Sequence, residues 1–306
     1  MSFQRAPKIL CAGIAGQDIV MRVERFPAPG AKVMASEFVV TGGGCAANAA
    51  LAVARLGGHA AFAGPFGSAS DTASNRIVAG LTAEGVDCSG IVRSDASAVP
   101  VSLILLDAEG EKTIATRRGA KIDELAPREV RALVADVDVV LVDNQLPLFV
   151  TPIAQAARER KIPVVIDFDR ITTVDDALLK LGSQVIASSE ALRGSTGSED
   201  LGKGLAIMAK HCTGLLAVTD GPNGVYWLEN GTLRHMPAFA VKVVDSLAAG
   251  DVFHAGFAVS LAEGRDLVAA LRFASAVAAL KCTHFGGAAG TASRAEVDAF
   301  LKSQTG

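Results

Sequence analysis

The stretch VVDSLAAGDVFHAGF, residues 243–257, decides the fold of this 306-residue chain. Its small residues Ala248, Ala249 and Gly250 open an apolar segment with helical periodicity. The backbone N–H groups of such a first turn point outward without side chains in front of them, and the positive end of the helix dipole lies behind them. This turn is therefore predicted to bind an anion. Asp251 is then either a residue that stabilises the helix N-terminus or a carboxylate with a chemical role beside the anion.

Outward from this stretch, short β-branched runs alternate with alanine-rich segments. The runs that we predict as strands are residues 8–12, 137–142, 163–167, 184–187 and 214–219. The segments that we predict as helices are residues 123–136, 151–161 and 266–282. This alternation is typical of βαβ units, so we predict an α/β fold with a mostly parallel sheet covered on both faces. The chain is expected to form one main domain over residues 1–306.

Two segments, residues 14–40 and 91–118, show polar and apolar residues in alternation, broken by prolines, glycines and a DAEGEK turn. This pattern predicts exposed antiparallel strands that pair into one small sheet outside the main layer. Such a sheet could cover a ligand site as a lid. Its apolar positions Val33, Phe38 and Val40 would leave one face uncovered, which favours a homodimer through the lid as one arrangement.

Composition excludes several classes of function. The chain has 29 basic and 32 acidic residues and a formal charge of -3, which is unsuited to binding nucleic acid or an anionic membrane. Its five cysteines are scattered and lack CxxC spacing, so neither a disulfide framework nor a zinc site is predicted. No apolar run near the N-terminus approaches the ~20 residues of a membrane span. We therefore expect a cytoplasmic protein that binds a small molecule.

Two motifs carry a family resemblance. DSLAAGDVFHAGF, residues 245–257, closely resembles the DTxGAGD or DTxAAGD signature of the ribokinase-like carbohydrate kinases, also called the PfkB family. TGGGCAAN, residues 41–48, resembles the N-terminal glycine motif of the same family. Residues 13–18, 218–224 and 286–287 follow in the family's order, so the resemblance spans essentially the whole chain. It implies a three-layer α/β/α sandwich with a small β-sheet lid, and ATP-dependent phosphorylation of a sugar with Mg²⁺ as the metal.

The resemblance also implies roles for individual residues on the sugar side. Asp251 would be the general base that takes the proton of the accepting hydroxyl. The N–H groups of Ala248, Ala249 and Gly250 would form an anion hole for the transferred phosphoryl group. Lys32 would either close over the sugar or remain a solvated lid lysine. The other positions implied to bind the sugar are Asp18, Gly42, Gly43, Asn48 and Gln145.

On the nucleotide side, the resemblance implies a contact surface and two cation sites. The positions beside the nucleotide are Thr219, Gly221, Gly224 and, on a helix where it could also be a buried structural serine, Ser275. Glu190 stands where relatives place the acid of an N-x-x-E motif for Mg²⁺, although the asparagine is missing here. The positions that hold a monovalent cation such as K⁺ in some relatives are Asp245, Phe285, Gly287 and Thr291.

The acceptor sugar is constrained by one position. Residues 227–254 and 272–282 look especially like the sulfofructose kinase branch, which binds its sulfonate with an arginine near position 145. Gln145 has no charge, so a related neutral ketose or similar sugar is expected. Arg117 and Arg118 could reach an anionic group or simply be solvated. Two alternatives remain open, a nucleoside kinase of the same fold and a sugar-binding protein without catalysis.

Overall fold

The structure, a computed structural model, describes residues 5–304. Within them the strands are β1 (Lys8–Ala12), β2 (Gly16–Val23), β3 (Ala35–Gly43), β4 (His59–Ala63), β5 (Pro65–Phe66), β6 (Val92–Arg93), β7 (Val101–Leu106), β8 (Lys112–Arg117), β9 (Val139–Asp143), β10 (Val164–Phe168), β11 (Gln184–Ser188), β12 (Leu215–Thr219), β13 (Val225–Glu229) and β14 (Thr232–Met236). The helices are α1 (Cys45–Arg55), α2 (Thr72–Ala83), α3 (Val130–Leu133), α4 (Pro147–Glu159), α5 (Ala177–Leu181), α6 (Ser189–Thr196), α7 (Leu201–Met208), α8 (Ala249–Ala262), α9 (Leu267–Cys282) and α10 (Arg294–Ser303).

The central sheet has eight strands in the order β14-β13-β12-β11-β10-β9-β1-β4. All neighbours from β12 to β4 run parallel, and β13 and β14 extend one edge as an antiparallel hairpin. Strands β9 and β10 are buried at every position, as expected for strands that are covered on both faces. The predicted α/β fold with a mostly parallel sheet is confirmed.

Helices pack on both faces of this sheet. Helix α8 packs against both α1 and α9, and α1 and α8 contact β1 and β9. Helix α4 packs with α3 and α5 and also contacts β9 and β10. The predicted buried helix over residues 266–282 is confirmed as α9, with the Asp266 carboxylate accepting the Ala269 amide at its N-terminus. Within residues 5–304, no helix is both long enough and apolar enough to cross a membrane.

The helix predicted over residues 123–136 is wrong. This segment holds a 3₁₀ turn at Ile122–Glu124 and the four-residue helix α3, with irregular backbone between them. Pro127 supplies no N–H and restricts the residue before it, and Glu129 adopts a left-handed conformation with φ of 46°. These two residues interrupt a continuous helix in spite of its periodic apolar positions.

The segments 14–40 and 91–118 form one four-stranded sheet in the order β3-β2-β7-β8, which we call the lid sheet. Its outer pairs are antiparallel as predicted, but the central pair, β2 and β7, is parallel. A parallel pair needs a long crossover, which the main body of the chain between the two strands provides. Val20, Ile104 and Leu106 on one face pack with Leu247, just before α8.

Candidate active site

The candidate active site lies at the carboxyl edge of β9 and β10, where α1 and α8 begin. Asp143 ends β9 and lies beside Asp167 of β10 in the parallel register. The Sγ of Cys45, at the start of α1, and carboxylate oxygens of Asp167 and Asp251 lie within 4.8 Å of one another. Crevices at the carboxyl edge of a parallel sheet are where α/β proteins bind ligands. The fold thus brings residues far apart in sequence to one edge of the sheet.

The first turn of α8 leaves some of its amides open, while the Ala249 amide donates a 3.4 Å hydrogen bond to the Ser246 carbonyl. Ala248 is in the left-handed region with φ of 63°, an uncommon conformation for a residue with a Cβ. The amides of Gly250 and Asp251 donate to no backbone carbonyl in residues 5–304. No atom lies within 4 Å of the position that a Cβ on Gly250 would take. The turn therefore presents unobstructed donors at the positive end of a helix dipole, a suitable place for an anion.

Asp251 is held in this turn by α1. The Asn48 side-chain amide donates a 2.6 Å hydrogen bond to Oδ2 of Asp251. Burial raises the pKa of Asp251, the Asn48 hydrogen bond opposes that rise, and the nearby Asp169 charge adds to it. A carboxylate whose pKa is raised is a stronger base than an ordinary aspartate, and it remains ionised at neutral pH if hydrogen bonds and cations support it.

Asp18 of β2 faces the same site from the lid sheet. It is 8% exposed, and burial raises its pKa to about 6, against the effect of a Ser102 hydrogen bond and with a small contribution from Asp251. A Cβ on Gly43 would overlap the Asp18 carboxylate. Any larger residue at position 43 would have to displace this carboxylate. This reason for a glycine is more specific than the close approach of a ligand to the backbone that the motif suggests.

Two further buried side chains, Asp143 and His254, lie beside these carboxylates. The Asp143 carboxylate accepts backbone N–H bonds, and its burial nevertheless raises its pKa to about 6. The amide donors to it are those of Ile14, Ala46 and Gln145. His254, one turn into α8, lies 3.6 Å from Asp167 and has carbonyl oxygens of Gly250 and Ile186 at its two ring nitrogens. Burial lowers the pKa of His254.

The loop after β10 is ordered by Asn144, which directly follows β9. The Asn144 side-chain oxygen accepts the amides of Asp169 and Arg170, and its side-chain nitrogen donates to the Arg170 carbonyl. Gln145, the predicted sugar-selecting residue, is half-buried next to it. Its carbonyl accepts a 3.0 Å hydrogen bond from Arg118, whose guanidinium also pairs with Asp123.

The predicted nucleotide-side residues lie at the same edge of the sheet, two strands away. Thr219 ends β12 beside Ser188 of β11, so Glu190 in the first turn of α6 is close by in the sheet order. Gly221 and Gly224 have φ of 51° and 93°, and a Cβ on Gly224 would overlap the Met236 carbonyl. Ser275 is half-buried in the middle of α9.

Comparison with known proteins identifies the family. The family model of the pfkB family carbohydrate kinases matches residues 6–294. The chain belongs to this family. It is thus a phosphotransferase with an alcohol group as acceptor, and the expected ribokinase-like sandwich is confirmed.

Individual relatives cover the kinase from end to end. A ribokinase of Bacillus subtilis (strain 168) is 29% identical over 296 residues, which are 96% of this chain and 99% of the relative. A crystal structure of an Agrobacterium tumefaciens protein is 32% identical, with a TM-score of 0.93 and coverage of 98% and 99% of the two chains. Arabidopsis thaliana ribokinase, solved with ribose and ATP, is 25% identical, with a TM-score of 0.84 and coverage of 97% and 99%.

Glu190 has the chemistry of a Mg²⁺ ligand. Glu190 is exposed, and its carboxylate accepts no hydrogen bond from the residues at 5–304. An open carboxylate that holds the ion through water is the kind of ligand that Mg²⁺ takes beside nucleotide phosphates. When bound, the ion would neutralise charge on the phosphates.

The four residues assigned to a monovalent cation do not fit one. The Asp245 carboxylate already accepts three backbone amides and lies 3.2 Å from the Lys281 ammonium. The Thr291 carbonyl accepts a 3.2 Å hydrogen bond from Arg55. Phe285 lies under the Arg22 guanidinium, 4.9 Å from its ring centre. The Lys281 ammonium and the Arg55 guanidinium thus lie against oxygens of Asp245 and Thr291 that the ion would need.

Sequence reasoning missed His254 and a lid residue, Lys112. Lys112 begins β8, and its positive charge opposes the raised pKa of Asp251. Its place after the DAEG turn gave no signal of this proximity, because only the pairing of the lid sheet brings β8 toward α8. Lys32 in turn is exposed on the connection between β2 and β3, and its contact with a sugar stays a prediction.

The lid sheet is fastened to the segment that precedes α8. The Arg22 side chain of β2 donates a 2.9 Å hydrogen bond to the Val244 carbonyl. The Ser246 hydroxyl donates a 3.1 Å hydrogen bond to the carbonyl of Gly110, in the turn between β7 and β8. These contacts join both hairpins of the lid sheet to the stretch that leads into the anion hole.

Proposed function

We propose that the kinase transfers the γ-phosphoryl group of ATP to the hydroxymethyl group of a neutral ketose or related monosaccharide. The observation that carries this proposal is the placement of Asp251 at open amides of α8, with Asn48 holding its carboxylate at 2.6 Å. A base and an anion site on one helical turn suit in-line transfer to an alcohol.

In the proposed step, Asp251 accepts the proton of the sugar hydroxyl as the oxygen forms a bond to the γ-phosphorus. The bond between that phosphorus and the bridging oxygen breaks, and ADP leaves with the electron pair. The amides of Ala248, Ala249 and Gly250 stabilise the negative charge on the transferring group. Thr219, Gly221 and Gly224 would lie along the nucleotide, with Ser275 farther toward the base.

The walls of the site favour a neutral acceptor. Asp18 would accept hydrogen bonds from sugar hydroxyls beside the backbone of Gly42 and Gly43, with Gln145 near the far end of the sugar. Arg118, one candidate for an anionic group, is already paired with Asp123. A phosphate or sulfonate on the sugar would face the carboxylates of Asp18, Asp143 and Asp251, which is unfavourable.

A nucleoside acceptor is less well supported. Stacking of a base needs an accessible aromatic face. Trp227 is only 5% exposed, and Tyr226 stacks on His235 with ring centres 4.3 Å apart. A sugar-binding protein without catalysis would have no need for Asp251 beside open amides.

The test is a coupled assay of ADP release over a panel of neutral ketoses, ribose, sugar phosphates and nucleosides. We expect turnover with a neutral sugar, and Asp251→Asn to lower kcat by about 10²- to 10⁴-fold. Asp95→Asn, a change at an exposed aspartate, is the matched control and should retain activity. Undiminished turnover by Asp251→Asn would refute its role as base, and sugar binding without turnover would favour the silent binder.

Two further parts of the proposal concern the setting of the kinase. The outer face of the lid sheet is apolar, with Phe38 60% and Leu103 55% exposed, which supports a homodimer through this face. Val40 lies on the same face by register. All five cysteines are free thiols, which supports a reducing compartment such as the cytoplasm.

A further inference from the structure

Lys281 is a lysine with no exposed surface, in the last turn of the apolar helix α9. Its ammonium donates a 2.7 Å hydrogen bond to the main-chain oxygen of Asp245 and lies 3.2 Å from the Asp245 carboxylate. Burial lowers the pKa of Lys281, whereas the Asp245 charge supports its charged form. A lysine is almost never fully buried unless it is paired, so this contact needs an explanation.

The Asp245 carboxylate connects two segments of backbone. One carboxylate oxygen accepts the Leu247 amide at 2.7 Å, and the other accepts the amides of Gly286 and Gly287 at 2.9 Å each. Leu247 directly precedes Ala248, whose left-handed conformation sets the direction of the first turn of α8. The position of the anion hole therefore depends on the Asp245 carboxylate staying in place.

The ammonium of Lys281 contacts the kinds of oxygen that a bound K⁺ would take, a main-chain carbonyl and a carboxylate. A second cation at hydrogen-bond distance from the ammonium would be repelled. The Thr291 carbonyl is likewise occupied, by the guanidinium of Arg55. The chain therefore supplies, from two side chains, the positive charge that an ion would bring.

We propose that Lys281 is a positioning residue whose ammonium replaces a monovalent cation, holding Asp245 and thereby the anion hole, so that the kinase works without K⁺. This inference rests on the proposed anion hole for its effect on turnover. Its second consequence, the indifference of the folded chain to K⁺, does not depend on which sugar is phosphorylated.

The experiment compares the wild type, Lys281→Met, Lys281→Ala and the exposed control Lys210→Met in KCl and in choline chloride at equal ionic strength. For the wild type and the control we expect the same kcat and the same Tm in both salts. Lys281→Met keeps most of the side-chain volume without the charge, and its kcat should fall about tenfold to hundredfold. Its KM for the sugar should change little, because Asp18, Asn48 and Asp251 are untouched.

Lys281→Ala leaves room for an ion, and K⁺ or NH₄⁺ should raise its kcat and its Tm with saturation, whereas choline should not. A wild type that K⁺ activates several-fold, or whose Tm rises saturably with K⁺, would overturn the proposal. Full kcat in Lys281→Met, or an alanine variant that is folded but indifferent to K⁺, would also overturn it. If neither variant folds, the wild-type Tm in the two salts still decides, and that measurement needs no substrate.

Discussion

Replacing Asn48 with leucine removes the amide that donates to Asp251 and keeps a side chain of similar size. The lost contact is a 2.6 Å hydrogen bond to a carboxylate, and such bonds contribute about 1.5 to 3 kcal/mol. The bond favours the ionised form, so its loss raises the pKa of Asp251 further in the direction that burial already imposes. Because only the ionised carboxylate can accept a proton, the acid limb of the kcat profile moves to higher pH.

The assay is ADP release at saturating sugar and ATP as a function of pH. On the acid side of the limb, Asn48→Leu should be about tenfold to hundredfold slower than the wild type, and the two curves should converge at high pH. Asn75→Leu, which removes an exposed side-chain amide bonded to the Ala69 carbonyl, should leave the profile unchanged. An acid limb that stays in place in Asn48→Leu, with kcat lowered equally at every pH, would refute the coupling between the amide and the base.

Three other outcomes are expected. In Gly43→Ala the new Cβ would overlap the Asp18 carboxylate and displace it. The KM for the sugar in steady-state kinetics should therefore rise about tenfold or more. An unchanged KM would show that Asp18 does not contact the sugar. Burial raises the pKa of Asp18 to about 6, so the folded chain retains a proton that the unfolded chain loses between about pH 4 and pH 6, and stability falls as pH rises through that window. Asp18→Asn should therefore raise Tm at about pH 7.5 more than at about pH 4.5, while weakening sugar binding; equal Tm changes at both values would contradict the burial effect. Phe38→Asp should shift the mass measured by light scattering from dimer to monomer, and a wild type that is already monomeric would exclude the lid dimer.

The order of strands and helices could be predicted because it depends on local pattern. The run VVI at 164–166 is β-branched and apolar, and the strand that it begins, Val164–Phe168, is buried at every position. The helix predicted over residues 123–136 is wrong: Pro127 is compatible with the first turn of a helix, but in the folded chain the backbone at Pro127 and Glu129 leaves only the four-residue α3.

The site was predictable where a motif specifies backbone and unpredictable where it depends on distant partners. The open first turn of α8 follows from three small residues at 248–250. In contrast, the overlap between a Cβ at position 43 and the Asp18 carboxylate arises only when β2 and β3 pair. Lys281 likewise contacts Asp245 at a separation of 36 residues along the chain. A lone lysine in the apolar run AVAALKC was a visible anomaly, but nothing in the sequence indicates which oxygens it faces.

The fastening of Arg22 to Val244 and of Ser246 to Gly110 gives the lid sheet a mechanical role. An outward swing of the sheet large enough to admit a sugar must stretch or break these hydrogen bonds, and it then pulls on the stretch that orients the open amides of α8. The opening of the lid sheet for sugar entry is thereby coupled to the position of the α8 amides. With the lid sheet open and no sugar bound, ATP would lie beside amides that are not in position for phosphoryl transfer. This arrangement limits the hydrolysis of ATP by water.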